Sequence, residues 1–167
     1  MRQLNGILDE VRGYIDDPQV GLPEEVFLFA TEITPMVNVD LLIRDESNRS
    51  LLSCRDDPYH GKGWHVPGGI LRVRESFDDR IHKTALNEIG CDVNYTKTPI
   101  DIVPIVSFDR KTRCHFISFI FECQLNDSFE IDNGQKKRNE IGFLEWFKRY
   151  PEDMIKEHEF YKKYFVD

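Results

Sequence analysis

The sequence predicts an α/β (α+β) fold: an α/β/α sandwich on a mixed central sheet. Three observations point there. The elements run helix, several strands, helix, several strands, helix, which is not a regular β-α-β series. Twelve Phe, six Tyr and two Trp favour sheets carrying thick side-chain layers. A chain of 167 residues with 40% apolar content can bury one core. The expected organisation is therefore a single domain, 1–167. Residues 1–24 form its N-terminal helix and connector, and 150–167 its closing helix.

The elements follow in order. Leu4, Ile7, Leu8, Val11 and Ile15 recur at helical spacing and predict an amphipathic helix over 3–16, broken by the Asp-Pro-Gln-Val-Gly-Leu-Pro run at 17–23. Two β-rich runs come next, 25–33 and 36–44, separated by Thr34-Pro35. Residues 45–49 read as a turn, 51–54 as a returning strand, and 55–63 as a loop rich in breakers. Trp64, His65 and Val66 read as a brief strand leading into Pro67-Gly68-Gly69. Residues 76–90 read as a helix, with Ser76 as N-cap, Asp79 three residues on, acids suited to the positive helix start, and Gly90 at the exit. Strands are predicted over 102–108 and 115–123 around a charged turn at 109–112. A loop at 126–133, a strand at 140–147 and a helix at 154–165 complete the chain.

Charge and cysteine usage narrow the function. Net charge is −8 and no basic block occurs, which argues against duplex nucleic acid as a partner. An acidic protein can still handle phosphates when a divalent cation and a few placed arginines neutralise them locally. Cys54, Cys91, Cys114 and Cys123 form no C-x-x-C pair and read as reduced thiols of a reducing compartment. The first 17 residues carry acids among their apolar positions, so neither a signal peptide nor a membrane span is expected, and the cytoplasm is the expected location.

The chemistry concentrates in Gly68–Gly90. Glycines after a strand let a backbone carbonyl turn toward a ligand. On the helix, Arg80, Thr84, Asn87 and Glu88 share one sector, while Phe77, Ile81, Ala85 and Ile89 share the sector that would bury against a sheet. Glu88 with a loop carbonyl is a plausible half-shell for Mg²⁺. In register, the segment resembles the Nudix box, G-x5-E-x7-R-E-U-x-E-E-x-G-U, with U aliphatic. Gly69, Glu75, Glu88 and Gly90 match it. Lys83 stands where arginine is usual, and Thr84 and Asn87 where glutamates are usual. With one helix carboxylate left, the box alone does not build a multi-metal cluster.

A single box-helix glutamate is similar to the GDP-mannose mannosyl hydrolase branch, and the resemblance spans roughly residues 36–147. It implies one Mg²⁺ (or Mn²⁺) held by Gly68, Glu88 and Glu140, with Arg55 on the diphosphate, Lys83 in place of the box arginine, and Asp40 lining the site. It also implies a homodimer formed through the first helix. Two positions depart from that pattern: Ile141 falls where the branch has its base histidine, and Phe116 where it has a tyrosine. His60 is the favoured substitute base. Tyr59 and Trp64 are candidates to stack a base or sugar, core or loop packing being the stronger default for Trp64, and Glu75 is expected to orient the loop and pair with Lys83. The expected activity is hydrolysis of a nucleotide sugar to nucleoside diphosphate plus sugar. The alternatives are pyrophosphate cleavage at phosphorus, as in ADP-ribose-type enzymes, and a non-catalytic nucleotide-sugar sensor.

Overall fold

The computed structural model describes residues 2–126 and 128–165. In order they form α1 (Arg2–Gly13), α2 (Glu24–Ile33), β1 (Met36–Ile43), β2 (Ser50–Asp57), β3 (Gly61–His65), β4 (Gly68–Ile70), α3 (Phe77–Glu88), β5 (Val93–Tyr95), β6 (Asp101–Val106), β7 (His115–Leu125), β8 (Leu144–Phe147) and a closing 3₁₀ helix, Lys156–Tyr164.

The expected mixed sheet is present. β1 runs parallel to β7, from Met36 opposite Phe116 to Ile43 opposite Cys123. β4 adds antiparallel to the free edge of β1, while β5 and β6 share the far edge of β7. A smaller antiparallel sheet, β3-β2-β8, packs beside it. Because strand side chains alternate, β1 feeds two cores. Val39, Leu41 and Ile43 bury with Ile81, Ala85 and Ile89 of α3. Leu42, on the opposite face, buries with Trp64, Ile120 and Tyr161 against the closing helix. Each fully buried aliphatic side chain contributes roughly 1.5–3 kcal/mol. Asp40 shares the face of Leu42, and that parity directs a carboxylate toward the closing helix.

The start of α3 is as the sequence predicts. Ser76 Oγ accepts from the Asp79 N–H at 3.1 Å and the Asp79 carboxylate accepts from the Ser76 N–H at 3.2 Å, a reciprocal capping box.

Residues 25–33 depart from the expected strand: they are the body of α2. Val26, Phe27, Phe29 and Ile33 carry β propensity, but Pro23 with Glu24 and Glu25 supplies a helix start, and tertiary packing overrides the residue preference. The expected loop at 55–63 is mostly hairpin, since β2 continues to Asp57 and β3 begins at Gly61, whose φ of 71° closes the turn. The expected strand at 140–147 shortens to Leu144–Phe147, because Asn139 and Gly142 take left-handed φ values of 72° and 76°. α1 leaves Leu4, Ile7 and Leu8 at 59%, 50% and 38% exposure, so its apolar face is not buried among the described residues.

Candidate active site

A cleft of about 230 Å³ opens where β1, the end of β3, the start of β4, the end of α3, the β2–β3 hairpin, the β6–β7 loop and the closing helix converge. Its floor is Asp40, 1% exposed. Asp40 Oδ1 accepts from Asn38 Nδ2 at 2.5 Å, and Oδ2 accepts from the Tyr161 hydroxyl at 2.7 Å and from the Ser118 hydroxyl. Burial pushes the Asp40 carboxyl up to about 6, against the pull of those hydroxyl donors. Gly68 stands opposite Asp40 in the β1–β4 ladder, and a Cβ there would collide with Asp40 Oδ1. The glycine is required by this close approach. Gly69 is similarly confined, a Cβ falling 2.5 Å from Thr84 Oγ1.

The loop before α3 is organised around Glu75, whose side chain is 4% exposed. It accepts from the Arg72 N–H at 2.9 Å, from Arg80 Nε at 2.8 Å and from Lys83 Nζ at 2.8 Å. Burial pushes its carboxyl up, but the bonds from Lys83, the Arg72 amide and Arg80 outweigh it and hold the group below the usual carboxylate range. Glu88, one turn beyond Thr84 and at the end of α3, lines the cleft. His65 links it to the small sheet: Nδ1 donates to the Ser53 carbonyl at 2.7 Å and Nε2 meets Glu88 Oε2 at 3.1 Å. Glu88 Oε1 has only a 3.5 Å contact with the Gly68 N–H.

The β2–β3 hairpin supplies a second cluster. Asp57 accepts from Arg55 Nε at 2.6 Å, from the Tyr59 N–H at 2.9 Å and from the His60 N–H at 3.0 Å, and its Oδ1 lies 3.1 Å from His60 Nδ1. Although burial opposes it, these donors and the Arg55 charge hold the Asp57 carboxyl far below the usual range. Burial and the Arg55 charge hold His60 below the ordinary imidazole value, against the pull of Asp57. A neutral His60 donating from Nδ1 to Asp57 leaves Nε2 as a lone-pair acceptor.

The closing helix and the β6–β7 loop form the remaining wall. Glu157 pairs with Arg110 at 2.8 Å. His158, which burial holds well below its ordinary value, accepts the Val66 N–H on Nδ1 at 3.1 Å, so its hydrogen resides on Nε2. Arg113 lines the cleft with Arg55.

The structure thus brings Asp40, Arg55, His60, Gly68 and Glu88 to one cleft, with Phe116 among its lining. Other expectations are corrected. Trp64 is 0% exposed, packed edge-on against Phe143 and Phe147, and cannot stack on a ligand. Glu140 does not line the cleft: it is exposed, caps a turn by accepting from the Lys137 N–H at 3.0 Å, and lines a separate hollow with Asp132 and Lys136. The left-handed turns before β8 carry it there. Lys83 lies outside the cleft, held by Glu75. Tyr59 does not line the cleft either; its ring backs Arg113 at 4.9 Å. Sequence reasoning missed Arg113, Glu157, His158, Asn38 and Asp57. Only Asp57 carried a local signal, two residues from Arg55 on the same side of a strand.

Among the described residues, no three His, Cys, Asp or Glu side chains form a metal-holding group. The donors present still suit a hard cation bound through few protein ligands: the underused Glu88 Oε1, and the Gly68 backbone drawn against β1. Mg²⁺ is commonly held by one or two carboxylates, waters and substrate phosphates.

Comparison with known proteins agrees with this architecture. Residues 34–166 match the NUDIX domain, most of the chain. The chain belongs to the Nudix family. A relative in Haloferax volcanii, the low-salt glycan biosynthesis protein Agl8, is 29% identical over 128 residues, covering 72% of this chain and 80% of that protein. Among solved structures, the MutT NUDIX hydrolase of Burkholderia pseudomallei superposes with a TM-score of 0.60 at 15% identity, over 80% of this chain and 99% of that one. A UDP-X diphosphatase superposes with a TM-score of 0.54 at 20% identity, over 97% and 75%. These likenesses show the Nudix fold. No helix among the described residues is long and apolar enough to cross a membrane.

Proposed function

We propose that this Nudix hydrolase acts, with Mg²⁺ or Mn²⁺, on a nucleoside diphosphate joined to a sugar, releasing nucleoside diphosphate and free sugar as GDP-mannose mannosyl hydrolases do. The observation that carries the reading is the cleft itself: one box-helix carboxylate, Glu88, faces a His60–Asp57 pair and two arginines. One carboxylate suits one metal, and the histidine supplies the base that Ile141 does not. The role in glycan biosynthesis named for the Haloferax volcanii relative supports a sugar-bearing substrate.

In this reading Glu88 and the Gly68 backbone hold the cation, which when bound would neutralise charge growing on the departing diphosphate. His60 Nε2 takes a proton from water as the water oxygen bonds to the anomeric carbon. The bond from that carbon to the β-phosphate oxygen breaks, and its electrons leave with the nucleoside diphosphate. Asp57 holds the His60 ring and Arg55 the diphosphate. Asp40 lines the floor beneath them. The protein acts in the cytoplasm, and α1 joins two copies through Leu4, Ile7 and Leu8.

A second reading, cleavage at phosphorus between the two phosphates, is favoured by the fold shared with a UDP-X diphosphatase. A Mg²⁺-supplemented panel of sugar nucleotides and dinucleotides, with product identification, separates them. Free sugar with intact nucleoside diphosphate is expected; two monophosphate-bearing products would replace the first reading with the second. Ligand binding without turnover of any compound would favour a sensor. Glu88→Gln is expected to lower Mg²⁺ affinity and turnover together, and unchanged Mg²⁺-dependent turnover would remove Glu88 from the metal.

A further inference from the structure

Arg113 differs from every other charged group lining the cleft. Arg55 has Asp57, His65 has Glu88, and Glu157 has Arg110. Asp40 accepts from three hydrogen-bond donors. Among the described residues no carboxylate lies within ion-pair distance of Arg113, and its buried Nε has no hydrogen-bond partner. What surrounds the guanidinium is aromatic: its carbon lies 5.5 Å from the Phe27 ring centre, 4.9 Å from Tyr59 and 5.9 Å from Phe116. The three rings come from α2, the β2–β3 hairpin and β7, so the collar forms only when these parts are assembled.

The backbone is held as deliberately as the side chain. Arg113 adopts a φ of 50°, a conformation that L residues other than Asn or Asp seldom take without compensation. Its N–H donates to Thr31 Oγ1 of α2 at 2.9 Å. Thr31 is itself 2% exposed. Burial disfavours the Arg113 charge and Arg55, facing the same cleft, disfavours it further; Asp57, already bonded to Arg55 and beyond ion-pair reach of Arg113, offsets this only in part. Aromatic faces recover part of that cost through cation–π attraction, but they leave the N–H donors unused. A half-buried, strained cation without a counter-ion, beside a second arginine, is stabilised most by an anion entering from the cleft.

We propose that Arg113 is the principal anion-binding residue of this site, gripping phosphoryl oxygens of the substrate's diphosphate from the wall opposite Glu88. The inference rests on the phosphate-handling reading above and adds to Arg55, which Asp57 already pairs, a second cation that grips the diphosphate. A planar guanidinium clamped between rings is presented in one orientation, suited to paired N–H···O bonds that an ammonium cannot reproduce. Recognition of this kind needs no metal. It follows that the site binds a diphosphate group even when divalent cations are removed, and that α2, outside the box, helps position the grip.

The test is calorimetric titration of the full chain with ADP and with inorganic pyrophosphate in EDTA, alongside thermal melts of the unliganded protein. Arg113→Met, which retains the apolar stem, is expected to weaken binding of both probes about tenfold or more. Its melting temperature should be unchanged or higher, because an uncompensated charge has been removed. Arg113→Lys should weaken binding by about threefold or more, since it keeps charge without the fork. Wild-type protein that binds neither probe, or an Arg113→Met variant that binds within about twofold of wild type, overturns the proposal. A loss of affinity accompanied by an equal loss of stability also overturns it, because that is the signature of a packing role. Should the methionine variant not fold, the lysine variant decides: retained affinity counts against the proposal, and weakened binding at unchanged melting temperature counts for it. The readout is independent of turnover. Arg113-dependent binding with no hydrolysis of any sugar nucleotide removes the proposed reaction and keeps the anion site; hydrolysis with unaltered anion binding does the reverse.

Discussion

The two walls of the cleft hold charge out of water in opposite ways. In the wall from Gly68 to Glu88, charge is compensated: Glu75 draws in Arg80 and Lys83, Ser76 and Asp79 cap each other, and Glu88 faces His65. Most of these partners are three to eight residues apart, so a short stretch of chain builds its own scaffold. In the opposite wall, Arg113 meets the neighbouring Phe116 and two rings from distant parts of the chain, Phe27 and Tyr59, and among the described residues no carboxylate lies within ion-pair distance. The contrast separates two uses of a buried charge. One that is fully paired sets the shape of the site, and one left unpaired at ordering cost is kept for a ligand.

That contrast can be broken by substitution. The largest effect is expected at His60, which belongs to the hairpin between the walls. If His60 is the base, His60→Gln should lower kcat roughly 10²–10⁴-fold with little change in melting temperature. An unchanged kcat would remove His60 from the role of base.

Glu75 tests the compensated wall. Its carboxylate is nearly inaccessible, and Glu75→Gln would strip the countercharge from Arg80, whose side chain is 12% exposed. Urea unfolding should show a loss of about 3 kcal/mol, since breaking a buried pair leaves the other charge stranded. A loss below about 1 kcal/mol would mean that Arg80 finds water, and that the wall is less dry than its geometry implies. The difference between Glu75→Gln, which should cost stability, and Arg113→Met, which should cost only binding, is the direct measure of the contrast.

The smallest effect is a pH dependence. Burial holds His158 neutral, with a folded pKa well below the ordinary 6.5, and the nearby His65 acts in the same direction. Its contribution to stability is therefore complete above about 6.5 and is lost as pH falls below that value, because the unfolded imidazole takes up a proton more readily. Melting curves from pH 8 to pH 5 should fall for the wild type and fall less steeply for His158→Gln. His60, lowered in the same direction, keeps some slope in the variant. Parallel slopes would show that His158 does not titrate between the two states.

What was legible in the sequence follows from range. The register of Gly69, Glu75, Glu88 and Gly90, the Ser76–Asp79 cap and the pairing of Glu75 with Lys83 are local, and the structure has them. The α/β sandwich with a mixed sheet was legible too, because strand alternation and helical spacing are properties of short windows. Misreadings arose where a distant contact decided. The β-like residues of α2 became helix because Thr31 and Phe27 pack against the Arg113 loop. Trp64 took the core packing that was its stronger default, not the stacking role, because β3 is covered by Met154 and the closing helix. Glu140 was carried aside by two left-handed turns.

By itself, then, the sequence determined the Nudix-type loop and helix and the reduced carboxylate count that argues for one metal. Arg55 was named from the sequence, but only the tertiary structure decided that Arg113 lines the cleft beside it. Arg113 lies 58 positions from Arg55, 86 from Phe27 and 54 from Tyr59 in the chain, and no local pattern marks residues whose meeting depends on how two sheets and two helices close on each other.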